Sequence, residues 1–121
     1  KEIEQTVKQM LSESPHAKLG IVLGTSTAGM DEGVEALRAS NAESLDKDYN
    51  YNVQLMSSPS DFLAEYLDSH YVNYTISTAC TSSSRSIIDA KRMLEANVCD
   101  IVIAGGCDTY NELTINGFNS L

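Results

Sequence analysis

The sequence predicts an α/β protein built on a mostly parallel sheet with helices on its faces. Three observations carry this. Residues 19–23 (Leu-Gly-Ile-Val-Leu) and 99–104 (Cys-Asp-Ile-Val-Ile-Ala) are short apolar runs set off by glycines, the pattern of strands buried on both faces. Residues 71–78 are β-branched or aromatic and alternate, the pattern of a third strand. Stretches with helical spacing separate these runs, and strands alternating with helices at this distance favour parallel pairing.

The elements follow in order. Residues 1–12 form a helix, because Ile3, Val7, Met10 and Leu11 fall on one face, and Pro15 ends it. The strand at 19–23 runs into Gly24-Thr25-Ser26-Thr27-Ala28-Gly29, which has the G-x4-G frame of a phosphate loop. Met30 stands where that loop needs lysine, and Asp31 where it needs Ser or Thr. A carboxylate there repels phosphate, so the small residues are read as room for close backbone passage. A helix covers 31–39, with Val34, Leu37 and Arg38 defining its faces. Residues 41–57 are polar, rich in Asn, Asp and Tyr, and lack a period; they form the one long loop, with short helical pieces.

Ser58 is placed to cap the next helix, with Pro59 at its first position and Asp61 completing a capping box. Phe62, Leu63, Tyr66 and Leu67 give that helix an apolar face through about His70, which is read as a solvated residue near its end. The strand at 71–78 follows. The helix after it runs to about residue 96, with Ser83, Ile87, Ala90 and Leu94 on one face. Arg85, Asp89 and Arg92 lie on the other, with Arg85–Asp89 as an i, i+4 pair. The strand at 99–104 closes on Gly105-Gly106, and residues 113–121 begin a last helix.

Composition sets limits. A chain of 121 residues holds one domain at most, and its 42% hydrophobic content suffices for a core. A chain this short leaves much surface exposed, so partners matter for its stability. The formal net charge of −9 argues against nucleic acid and anionic membrane surfaces, which are bound through Lys and Arg. Three cysteines without framework spacing suit a reducing cytoplasm, and no apolar run or signal pattern points to a membrane or secretion. There is no C-x-x-C and the two histidines are distant, so no metal site is expected; Cys99 and Cys107 are assigned to core packing. Asn73-Tyr74-Thr75 is a sequon by chance in a strand.

The whole chain is organised around residues 74–84, Tyr-Thr-Ile-Ser-Thr-Ala-Cys-Thr-Ser-Ser-Ser. A strand arrives at Cys80 and a helix leaves it. The unpaired N–H groups and positive dipole end of a helix start favour thiolate, the nucleophilic form. The plain alternative is a buried structural cysteine. Small hydroxyl residues beside Cys80 let a substrate and neighbouring backbone come close.

Residues 75–82, Thr-Ile-Ser-Thr-Ala-Cys-Thr-Ser, resemble the nucleophile motif of the β-ketoacyl-acyl carrier protein synthases, condensing enzymes of the thiolase superfamily. Residues 100–108 (Asp-Ile-Val-Ile-Ala-Gly-Gly-Cys-Asp) and 19–29 resemble the strand–glycine-turn segments that flank it in that family. The resemblance implies part of a thiolase-like layered fold. It also implies Cys80 as catalytic nucleophile, acyl carrier protein as substrate partner, a homodimer, and no metal or organic cofactor. The family's opening strands, and its C-terminal half with two histidines and often a lysine, have no match in residues 1–121. This stretch alone is therefore expected to be an internal piece, catalytically incomplete. His16 and His70 match neither histidine motif. In the family, residues 41–57 lie near the dimer contact and acyl tunnel, where Tyr49, Tyr51, Val53, Leu55 and Met56 would serve; plain packing is the equal alternative. A coenzyme-A-dependent relative and a non-catalytic assembly domain are the rival readings.

Overall fold

The computed structural model describes residues 2–40 and 49–121. Helix α1 (Glu2–Glu13) precedes strand β1 (Leu19–Gly24) and helix α2 (Met30–Ala39). A 3-10 helix (Tyr51–Gln54) leads to α3 (Ser58–Tyr66) and β2 (Asn73–Ile76). A second 3-10 turn (Ala79–Thr81) opens into α4 (Ser82–Glu95), followed by β3 (Ile101–Gly106) and α5 (Glu112–Asn119). Residues 41–48 of the long loop lie outside the described residues; of the rest, Val53 packs on α2 while Tyr51 and Leu55 are exposed.

The three strands form a parallel sheet in the order β2-β1-β3. From β1 the chain crosses through α3 to β2 on one side, then returns through α4 to β3 on the other. Right-handed crossovers in opposite directions put α3 and α4 on opposite faces. Helix α1 shares the α3 face: Tyr66 Oη donates to Glu4 at 2.8 Å, and Lys8 Nζ lies 5.5 Å from the Tyr66 ring centre. An apolar groove of about 440 Å³ remains between α1, α3 and the sheet. The middle strand is the buried one, with Ile21 and Val22 fully enclosed. The edge strands stay half-exposed because each pairs on one side only among the described residues.

Helix α4 buries a different face from the one its large apolar residues suggest. Ser82, Ser86 and Ala90 meet the sheet, whereas Ile87, Ile88 and Leu94 are exposed. The reason is distance. At Gly24 an added Cβ would lie within 2.7 Å of the Ser82 and Ser83 backbone, and at Gly106 one would strike the Ser83 side chain. Backbones this close admit only small residues between them. Arg85 does not pair with Asp89, which binds Arg92 at 3.3 Å and accepts from Tyr74 Oη at 3.2 Å instead.

Helix ends also shift by local chemistry. The cap position before α3 is Ser57, in right-handed α geometry and without a side-chain cap bond, so the capping box expected at Ser58 and Asp61 does not form. That helix stops at Tyr66, earlier than its apolar pattern suggests. Asp68 takes φ 53° and the Ser69 N–H donates to Ala64 O at 2.8 Å, closing a six-to-one turn. Helix α4 ends likewise, with Asn97 at φ 55° and Val98 N donating to Met93 O at 2.9 Å.

Candidate active site

Because the strands are parallel, their carboxyl ends converge on one edge, where open α/β sheets place their sites. Gly24 ends β1, Ile76 leads toward Cys80, and Gly106 ends β3 with Cys107 and Asp108 following. Cys80 sits in the middle of the 3-10 turn between β2 and α4 and is exposed. The turn is sharp. Ala79 adopts φ 50°, a left-handed conformation that costs an L-residue energy. Two hydroxyls brace it. Ser82 Oγ accepts from Thr78 N at 2.9 Å and donates to Ala79 O at 2.7 Å. Thr81 Oγ1 donates to Thr78 O at 2.8 Å. Cys80 is thereby presented on an elbow, two residues before the start of α4.

At the ends of β1 and β3, one carboxylate oxygen ties the two segments that follow them together. Asp108 Oδ1 accepts from Thr25 Oγ1 at 2.9 Å, from the Ser26 N–H, from Thr27 N at 3.2 Å and from Thr27 Oγ1 at 3.3 Å. These donors, the Ser26 N–H foremost, hold the carboxyl of the exposed Asp108 below the usual carboxylate range, against the upward pull of desolvation. Thr109 continues the clamp, with its N–H on Thr27 Oγ1 at 2.9 Å and its hydroxyl on Ala28 O at 3.0 Å. The G-x4-G loop therefore spends its amides on an internal anion, which is the geometric reason it does not read as a phosphate loop. Gly29 serves close packing too, since a Cβ there would collide with the Val53 carbonyl.

The other cysteines part company. Cys99 is buried, as expected of core packing, and burial followed by the nearby Asp100 charge pushes its thiol up. Cys107 is exposed just after Gly106 ends β3, which corrects its assignment to the core: its N–H donates to Gly24 O at 3.1 Å, and its side chain lines the open groove beside α1 and α3 and not a closed core. His16 and His70 are both exposed, and His70 pairs with the exposed Asp68 at 3.2 Å. Among the described residues no cluster of three His, Cys, Asp or Glu stands ready to hold a metal. Sequence reasoning missed Asp108 and the bracing role of Ser82. The run of hydroxyls at 25–27 facing a lone acid after a glycine turn was the available signal for the first.

A parallel sheet with helices on both faces and a cysteine elbow at its carboxyl edge is the architecture of the thiolase-like class. Residues 5–121 match the family described as beta-ketoacyl synthase, N-terminal domain, so the chain belongs to the β-ketoacyl synthases. It is similar to a solved structure from Xenorhabdus doucetiae, described as a ketosynthase (ApeO) in complex with its chain length factor (ApeC). The TM-score is 0.87 and the identity 37%, over 98% of this chain and 30% of that one. It is also 24% identical, over 112 residues, to a protein of Schizosaccharomyces pombe named as a mitochondrial 3-oxoacyl-[acyl-carrier-protein] synthase; the match takes in 90% of this chain and 26% of that protein. The chain thus spans under a third of the length of either.

Proposed function

We propose that the chain carries the nucleophile of an acyl-carrier-dependent β-ketoacyl synthase, and that Cys80 is that nucleophile. The carrying observation is the exposed cysteine on a braced elbow at the carboxyl edge of a ketosynthase-type sheet. In the complete enzyme Cys80 thiolate attacks an acyl thioester, forming a sulfur–acyl bond and releasing the carrier thiol. A malonyl carrier then loses carbon dioxide, and the resulting carbanion attacks the acyl carbonyl, returning the electron pair to sulfur. The Cys80 N–H would be one donor to the oxyanion. Acid–base groups for the decarboxylation would come from residues beyond these 121.

Acyl carrier protein is the proposed partner, in a cytoplasmic setting. Lys8, Arg38, Lys91 and Arg92 each pair with a carboxylate of this chain, so they are partly neutralised as a docking surface for an acidic carrier. No described helix is long and apolar enough to cross a membrane. We also propose pairing of the complete protein through the outer edge of β2, which pairs with β1 alone among the described residues; that the similar solved ketosynthase is in complex with a chain length factor supports a paired assembly.

The test is thiol mapping. Limiting iodoacetamide on the folded chain is expected to label Cys80 first, Cys107 more slowly and Cys99 last. Labelling led by Cys107 or Cys99 would overturn the assignment.

A further inference from the structure

We propose that Ser82 is a positioning residue for Cys80: its hydroxyl latches Ala79 in the left-handed conformation that aims the thiol out of the elbow. This rests on the nucleophile reading of Cys80. Among the described residues, four that are not glycine have positive φ: Ala28, Asp68, Ala79 and Asn97. Asp68 and Asn97 belong to the residue types that tolerate this region. The two alanines have no such help from their own side chains, and each has a hydroxyl bound to its carbonyl. Thr109 Oγ1 holds Ala28 O, and Ser82 Oγ holds Ala79 O. The same device thus fixes both strained turns at the carboxyl edge of the sheet.

Ser82 is also the anchored end of the latch. Its side chain is buried at 4% exposure, and its own backbone rests on Gly24, whose strand end the Asp108 clamp fixes. Its hydroxyl makes two bonds with opposite sense, accepting from Thr78 N and donating to Ala79 O. Those two groups flank the peptide whose rotation would carry Ala79 out of the left-handed region and swing Cys80 with it. An alanine at 82 breaks both bonds at once and leaves the strain at Ala79 unopposed.

Three variants test this in the folded chain, each checked by circular dichroism and assayed by the rate of Cys80 carbamidomethylation at fixed pH. Ser82→Ala is expected to slow Cys80 about tenfold, the population shift that releasing one left-handed alanine allows, while Cys107 labels at an unchanged rate. Adding Ala79→Gly to Ser82→Ala is expected to recover most of the rate, because glycine takes φ near 50° without strain. Ser82→Thr, which keeps the hydroxyl, is expected to stay within about threefold of the starting chain. If Ser82→Ala does not fold, Ala79→Gly alone is compared with Ala79→Gly plus Ser82→Ala; equal Cys80 rates are expected, because glycine leaves no strain for the hydroxyl to oppose, and a Cys80 loss of about tenfold between the two overturns the latch. A purely structural role would lower the melting temperature without a Cys80-specific rate loss or its rescue by glycine. Fast Cys80 labelling that ignores loss of the hydroxyl overturns the latch alone. Slow, equal labelling of Cys80 and Cys107 before any substitution overturns the nucleophile reading and the latch with it.

Discussion

Asp108 shows how much one carboxylate decides. A single oxygen gathers two backbone N–H groups and two hydroxyls from the loop after β1, and they favour the ionised form. The native pKa is therefore lowered, and the sign follows. Its contribution to stability is complete above the ordinary aspartate pKa of about 4 and is lost as pH falls through the lower native value. Thermal melts from pH 6 down to pH 2 are expected to show the wild-type chain losing stability below about pH 4. Asp108→Asn keeps an acceptor at the same place but no charge. That variant should start lower at pH 6 and show a flatter acid limb. An unchanged acid limb would place the titration elsewhere.

At the scale of elements, the seating of α4 on the ends of β1 and β3 is the contact that matters to the site. Gly24 and Gly105 are a matched pair of tests. A methyl at Gly24 meets the α4 backbone, whereas a methyl at Gly105 meets nothing within 4 Å. Gly24→Ala is expected to cost about 1–3 kcal/mol by overpacking, read as a lower urea midpoint at unchanged slope. Gly105→Ala should stay within about 0.5 kcal/mol. Similar losses at both positions would mean that strand propensity, not the α4 contact, governs this edge.

For the whole molecule the open question is what lies beyond the free edge of β2. In the parallel ladder, Ile21 N donates to Val72 O and Thr25 N to Ile76 O. The alternation of such a ladder turns the N–H groups of Tyr74 and Ile76 toward β1, and those of Asn73 and Thr75 outward. An outward row of donors is a template for another strand, and two-fold pairing closes it. Thr75→Pro removes one outward donor without touching the β1 ladder. It also removes the Thr75 hydroxyl bond to Ser60, so Thr75→Ala is the control. Light scattering is expected to give a dimer for the wild-type chain and Thr75→Ala, and a monomer for Thr75→Pro. A wild-type monomer at high concentration, or a dimer indifferent to proline, would exclude this interface. The exposed Ile87, Ile88 and Leu94 on α4 add apolar surface that a larger assembly would cover.

Local pattern alone determined the alternation of strands and helices, and so the parallel sheet and the ketosynthase resemblance. It also set Cys80 at a strand-to-helix junction and Cys99 in the core. These follow from neighbours in sequence: glycine-bounded apolar runs, helical spacing, and small residues around one cysteine. Tertiary structure decided the rest, because it depends on distances between segments far apart in the chain. The sheet-facing side of α4 is Ser82, Ser86 and Ala90, since at Gly24 and Gly106 the start of the helix comes too close to the sheet for a large side chain. Cys107 is exposed because its side chain lines the open groove at the end of β3. Asp108 fills the loop after β1 across a separation of more than 80 residues, which no local window spans. The left-handed turn at Ala79 exists because Ser82, seated on Gly24, holds it there.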